Sequence, residues 1–380
     1  MKKLIMFVFV SMLAGSVAFA QNNNSDVKQK GNDHSATVAQ AGAQHQSLVD
    51  QDAHFGSGHT AEVTQESGML NYSNVMQRQA NSEAYILQTG SENESRTRQA
   101  GYNVVDVLQE GDYNILGAYG NLGNAAYQKN GGGMWASDMN NLDLDQLGNS
   151  NEAGVTQEHH GDATVLQSGN SNEAGVRQGG AAFGALNEVA IAQHGDINMA
   201  DAYQSGEGNK ATIGQGVSAY TSNDNDASIT QLGDGNNASF SLTWGDLNDV
   251  TVDQDGNNNY SEFSVKYGDE NTVSADVEGS SNRTRFHVNS DWGSMSSGNT
   301  INIQKLGNTN YVAGSIKGGS NMVDIVQNGN NNMIGTSWYT GDGVSITGNS
   351  NMVDVDQMSN GNSSLNSVAG NNNSISVMQN

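Results

Sequence analysis

Ala84-x-Ile86-x-Gln88-x-Gly90-x-x-Asn93, written out as AYILQTGSEN, is the phrase on which the fold turns. Its first half alternates inward and outward at a two-residue period, with a β-branched residue at the centre, which predicts a strand. Its second half, Gly-x-x-Asn, is turn chemistry, because Gly and Asn tolerate the positive φ that a tight reversal demands. The phrase then returns along the chain. Gln, Gly and Asn recur at the same offsets as Gln88, Gly90 and Asn93; Gln109, Gly111 and Asn114; Gln146, Gly148 and Asn151; and Gln167, Gly169 and Asn172. They recur again as Gln193, Gly195 and Asn198; Gln204, Gly206 and Asn209; Gln231, Gly233 and Asn236; Gln254, Gly256 and Asn259; and Gln327, Gly329 and Asn332. Successive copies lie 11 or 12 residues apart over long runs. Self-similarity at a fixed period marks an array of like units rather than one globular core.

Shorter versions extend the array outward in both directions, from Ala36-x-Val38-x-Gln40 and Ser73-x-Val75-x-Gln77 to the terminal Ile375-x-Val377-x-Gln379. One arm of strand plus turn takes about eleven residues, so two arms make a rung of roughly 22–23 residues. A flat meander would leave half of the Val and Ile residues wet. Stacked strand–turn–strand arches bury the inward faces of both arms against each other, and each rung bonds to the next at the cross-β spacing of about 4.7 Å. The expectation is an all-β solenoid of about 15 rungs, on the order of 70 Å long. Inward Gln side chains need partners, since an unpaired buried amide costs about 1–3 kcal/mol. Stacking supplies them as an amide ladder along the axis. The turn Asn residues extend the same logic, although Asn also suits a left-handed turn conformation on its own.

Composition agrees. Of 380 residues only 35% are apolar, 47 are Gly, and Pro and Cys are absent. Such a chain cannot fill a conventional core in proportion to its length, and missing Pro suits backbone committed to strand ladders. A net charge of −25 provides no basic stripe for nucleic acid; the acidity is read as solubility. No cysteine means no disulfide staple and no thiol chemistry.

Residues 1–20 read as a signal peptide: Lys2 and Lys3, an apolar stretch from Leu4 to Val17, and Ala18-Phe19-Ala20 as a cleavage site, cutting between Ala20 and Gln21. No later stretch approaches the roughly 20 apolar residues of a spanning helix, so membrane insertion is not expected. Residues 21–33 lack the phrase and are expected to form a disordered leader, with the solenoid running from 34 to 380.

Some segments depart from the phrase. Val277, Ile316, Ile346 and Val368 stand in Gln slots, as a buried position allows. In Phe240-Leu242-Trp244 and Phe263-Val265-Tyr267 the alternation is one residue out of phase, so Trp244 and Tyr267 are expected to fill core, with a turn one residue shorter. Irregular stretches from Ala118 to Asp138, Gly180 to Asn187, Val288 to Asn299 and Ser337 to Val344 carry Trp135, Trp292 and Trp338 and read as bulging loops. Glu158-His159-His160-Gly161-Asp162 lacks a second cluster at ligand spacing, so it reads as a turn rather than a metal site. Asp196, Asp234, Asp246 and Asp269 in the turns read as charges that slow premature association. No nucleophile–base pair or phosphate loop stands out, and neither an enzyme nor a cofactor is expected.

The phrase resembles the curlin repeat, roughly S-x5-Q-x-G-x-x-N-x-A-x3-Q. Gln146, Gly148, Asn151, Ala153 and Gln157 match it in order, as do Gln167, Gly169, Asn172, Ala174 and Gln178. Gln231, Gly233, Asn236 and Ala238 match its first part. The resemblance implies a structural subunit of curli-like functional amyloid fibres in the extracellular biofilm matrix of a Gram-negative bacterium. Its partners would be further copies of itself, a nucleator subunit and an outer-membrane secretion channel, with residues 21–33 in the place of the targeting segment. The chain is longer than the common five-repeat subunit, and several of its Gln slots are apolar. An alternative from another class is a monomeric solenoid adhesin that binds glycan or surfaces through the Trp-bearing insertions.

Overall fold

The computed structural model describes residues 22–52, 58–79, 81–118, 120–121, 125–129, 139–180, 185–217, 221–289, 296–335 and 343–380. The signal peptide with its cleavage pair Ala20 and Gln21 lies outside the described residues, as do Trp135, Trp292 and Trp338. Among the described residues every regular element is a strand, and no helix is long and apolar enough to cross a membrane.

The strands form two 16-stranded sheets, and consecutive arms of the chain alternate between them. One sheet stacks fifteen strand positions from Asn24–Lys30 to Ser374–Gln379; the other stacks fourteen from Ser35–Ala43 to Ser363–Ser364. The chain is therefore a β-solenoid of fourteen full two-armed turns plus a final arm, one turn short of the expected number. The insertions consume the missing length. Ile115–Gly117 and Ala126–Lys129 share one sheet position, split by the intervening segment, as do Met333–Ile334 and Val344–Thr347.

Among the described residues every strand pairing is parallel, and most set like on like. Glu152–Glu158 lies on Glu173–Gly179 with Ala153 opposite Ala174, Val155 opposite Val176 and Gln157 opposite Gln178. A one-residue slip would turn each Val and Gln out to solvent, which locks the register. The core is the thin layer between the two sheets. Alternate positions of each strand are buried, as in Asn187–His194, whose pattern runs buried, half-buried to its end. The inward ranks are Ala, Val, Ile and Gln, widening to Phe240, Phe263 and Phe286, which stack on successive rungs of one sheet. Gly314 takes the next place in that rank, and a Cβ there would come within 2.5 Å of the Phe286 ring. The aromatic rank ends where a residue without a side chain makes room for it.

Two local expectations are corrected. The leader holds a strand: Asn24–Lys30, exposed at all its positions, pairs in register with Gln46–Asp52. Its Val27 and Gln29 fall on Val49 and Gln51, so this seven-residue arm continues both ranks, with Gln29-x-Gly31 keeping the turn phrase and His34 in the Asn place. Trp244 and Tyr267 do not enter the core. Leu242 and Val265 already occupy the inward slot at 1% exposure, while Trp244 is 42% exposed and packs edge-on to Tyr267 at 6.0 Å. These arms are one residue longer than a Gln arm, and the extra aromatic is pushed out beside the turn.

Candidate functional site

The inward Gln residues form two columns, one per sheet. Gln88, Gln109, Gln146, Gln167 and Gln193 belong to one sheet; Gln204, Gln231, Gln254 and Gln327 belong to the other. All are buried. Apart from Gln254, each amide Nε2 donates to Oε1 of the next Gln toward the carboxyl-terminal end: Gln88 to Gln109 at 2.8 Å, Gln146 to Gln167 at 2.9 Å, Gln204 to Gln231 at 2.9 Å. The second Nε2 proton reaches a backbone carbonyl of the facing arm, as from Gln88 to Tyr72 O at 3.1 Å. Both amide donors and the carbonyl are thus satisfied in a dry interior, where each lost bond would carry its full desolvation cost. The columns have one direction: donors point to one end and acceptors to the other.

The turn Asn residues form two further columns. Asn93, Asn114, Asn151, Asn172 and Asn198 line one edge; Asn209, Asn236, Asn259 and Asn332 line the opposite edge. Each Oδ1 accepts the backbone N–H of the next Asn, as in Asn114 to Asn93 at 3.0 Å, and most donate Nδ2 to the next turn's Gly carbonyl, as in Asn93 to Gly111 O at 2.7 Å. The left-handed conformation falls on the residue before the Asn, with φ of 57° at Glu92 and 56° at Ser171. Asn is present for its side-chain bonds rather than for its backbone tolerance. The Gly of the phrase is required twice: Gly111 has φ of 110°, and a Cβ would lie 2.0 Å from Gly148 O.

Several contributors were invisible to periodicity. A further run of Asx side chains follows the turn Gly: Asp112 Oδ1 accepts Ser91 N–H at 2.7 Å, and Asp196 Oδ1 accepts Asn170 N–H at 2.7 Å. Asp234, Asp246 and Asp269 do the same for Glu207, Asn223 and Asp246, so the acidic turn residues have a structural bond beside their charge. His159 and His160 sit in a turn with φ of 57° and 48°, and Gly161 N–H bonds Asn140 Oδ1 at 2.8 Å. Among the described residues no three His, Asp or Glu side chains converge as a metal site.

The amide columns are not continuous. In one sheet Gln gives way after Gln215 to Leu242, Val265, Val288, Ile316, Ile346 and Val368, all buried. In the other, Gln254 is followed by Val277 and Lys305 before Gln327, Gln357 and Gln379 resume. Gln254 turns its Nε2 instead to Ser261 Oγ at 3.0 Å. Lys305 is wholly buried, and its Nζ donates to Arg283 O, the carbonyl a Gln would also use. Burial drives its pKa far below the ordinary lysine value. Gln327 Oε1 consequently has no donor.

Comparison with known families now bears on this geometry. The curlin associated repeat matches residues 31–66, 184–216 and 245–283. Three stretches of the chain match the curlin repeat. The matched stretches hold arms from both sheets, and the same columns run unbroken through unmatched turns such as Glu152–Gly179. No curated protein matches the chain.

Proposed function

We propose that this curlin-repeat chain is a secreted structural subunit of curli-like extracellular fibres, growing end to end by strand addition. The observation that carries the reading is the state of the two ends. Among the described residues, Asn24–Lys30 and Ser374–Gln379 lie at opposite ends of the same sheet, and each has a strand neighbour on one side only. A free parallel edge is a template for a further chain. The end strands also match: laid in the register of the interior pairs, Val27 falls on Val377 and Gln29 on Gln379. Gln379 takes a 2.8 Å bond from Gln357 through its Oε1, which leaves Nε2 directed onward, while Gln29 donates to Gln51 at 2.9 Å. The unidirectional amide column would therefore continue across the junction as donor to acceptor, so joining is head to tail.

The reading extends to export through an outer-membrane channel, seeding by a nucleator subunit and adhesion in a biofilm matrix, supported by the three curlin-repeat matches and by the sequence of residues 1–20. The reading assigns no enzymatic activity. Purified chain beginning at Gln21 should form thioflavin-binding fibres with a meridional reflection near 4.7 Å at neutral pH. Val377→Asp, which places a charge on the growing face, should block elongation from seeds while leaving the monomer folded. A chain that stays monomeric with seeds present, or elongates equally well with Val377→Asp, would overturn the proposal.

A further inference from the structure

Near the amino-terminal end the Asn columns contain histidine. At one edge the rank reads His34, His59, Ser82, Asn103; at the other it reads Asn23, His45, Asn71, Asn93. In these places the ring Nδ1 does the work of Asn Oδ1. His59 N–H donates to His34 Nδ1 at 3.0 Å, Ser82 N–H to His59 Nδ1 at 3.1 Å, and Asn71 N–H to His45 Nδ1 at 3.3 Å. The opposite ring nitrogens of His34 and His45 face Lys30 O at 3.0 Å and Ala41 O at 3.2 Å, which fixes the Nε2–H tautomer. The His34 and His59 rings stack at 5.1 Å and 5°. His45 and His59 are fully buried.

An amide oxygen accepts at any pH, but a protonated imidazole cannot accept at all. We infer that the amino-terminal turns, and with them the joining face of the fibre subunit, close only while His34, His45 and His59 are neutral, so that mild acid opens this end of the solenoid and leaves the Asn-laddered body intact. The inference rests on the proposed end-to-end assembly only in its consequence for joining. The charged surroundings do not rescue an imidazolium. Around His59 are His34, Asp52 and Arg78, with Asp52 already facing Lys30 at 3.6 Å and Arg78 at 3.9 Å. Lys30 and Asp33 flank His34, and the rank neighbours of His45 are Asn23 and Asn71. Burial, then the neighbouring His34, holds the His59 pKa down at about 4. The sign follows: the unfolded ring protonates near 6.5, so stability is complete above that pH and is lost as pH falls toward 4. At pH 5 the difference corresponds to an opening equilibrium about 30-fold larger from His59 alone.

The test compares the chain from Gln21 with its His34→Asn/His45→Asn/His59→Asn variant, which installs the residue used elsewhere in the columns. Hydrogen-exchange protection factors are measured at pH 7.5 and 5.0, above the range where most carboxylates titrate. Wild type should lose about 30-fold protection across residues 34–82 at pH 5 while residues 152–179 hold, and the variant should keep both. Equal protection of wild type at the two pH values, or an equal loss in the variant, overturns the inference. Ring nitrogen shifts give a reading that needs no variant: Nδ1 of His59 must be the unprotonated nitrogen at pH 7, and a ring titrating near 6.5 overturns it. Seeded elongation should fall with protection in wild type only. If neither protein elongates at pH 7.5 the fibre reading fails, and the exchange data still decide this one.

Discussion

Replacing both Val277 and Lys305 by Gln closes a column that is broken only at those two places between Gln254 and Gln327. The lysine keeps the cross-arm bond to Arg283 O but supplies no donor to Gln327 Oε1, which stays buried without a partner. An orphaned buried acceptor costs about 1–3 kcal/mol; Lys305→Gln alone would only pass the orphan to its own Oε1, which faces Val277, whereas Val277→Gln/Lys305→Gln closes the column and should stabilise these rungs by about that amount, or roughly 5- to 160-fold in local opening. A second signature separates this from generic repacking. The buried lysine sheds its proton on folding, whereas the unfolded chain holds it up to the ordinary value of 10.5. Wild-type stability should thus rise with pH between neutrality and that value, by at most about 1.4 kcal/mol per pH unit, and the glutamine variant should lose this slope. Hydrogen exchange of Thr300–Leu306 and Met322–Asn328 at pH 7 and 9 reads both quantities locally. A variant no better protected than wild type at pH 7, or one with the same rise to pH 9, would refute the argument.

Gly111→Ala should destabilise the monomer by about 1–3 kcal/mol through its φ of 110° and the 2.0 Å approach to Gly148 O, whereas Gly179→Ala, whose Cβ would meet only Gln204 O at 3.9 Å, should be near neutral in the same denaturant titration. Gln146→Leu leaves Gln109 without an acceptor and Gln167 without a donor, so a loss of about 2–5 kcal/mol is expected, although leucine itself is accommodated further along at Leu242. Gly314→Ala drives a methyl into the Phe286 ring and should cost about 1–3 kcal/mol; Phe286→Leu made together with it should recover part of the loss, and additive losses would show that the two do not meet.

Most of the architecture could be read from the chain because its signal repeats. A single Ala-x-Ile-x-Gln-x-Gly-x-x-Asn is ambiguous, but many copies at one spacing leave few ways to bury the same positions. The misreadings have local causes. Asn24–Lys30 runs into Gln29-x-Gly31 with His34 in the Asn place, so the phrase is there with one substitution, and an arm needs only Val27 and Gln29 on rank. Trp244 and Tyr267 continue the alternation in sequence, but Leu242 and Val265 reach the inward slot first. Lys305 carries no periodic mark at all, since Ile301-Asn302-Ile303-Gln304-Lys305 places a glutamine beside the slot and a lysine in it. His34 and His45 stand in the Asn place of Gln29-x-Gly31 and Gln40-x-Gly42, whereas no such motif leads to His59, and only its neighbours along the axis define what it does.

The amino-acid order alone determines a ladder of short arms with Val, Ile, Ala and Gln inward, because a two-residue alternation has one face to bury and the amides on that face need stacked partners. It does not determine which arm meets which. That two sheets take alternate arms, that the glutamines separate into two columns running in one direction, and that His34 lies over His59 are facts of rung-to-rung stacking. Such contacts join residues about one turn apart through main-chain register, and register belongs to the assembled rungs, where every misplacement would cost a whole face at once.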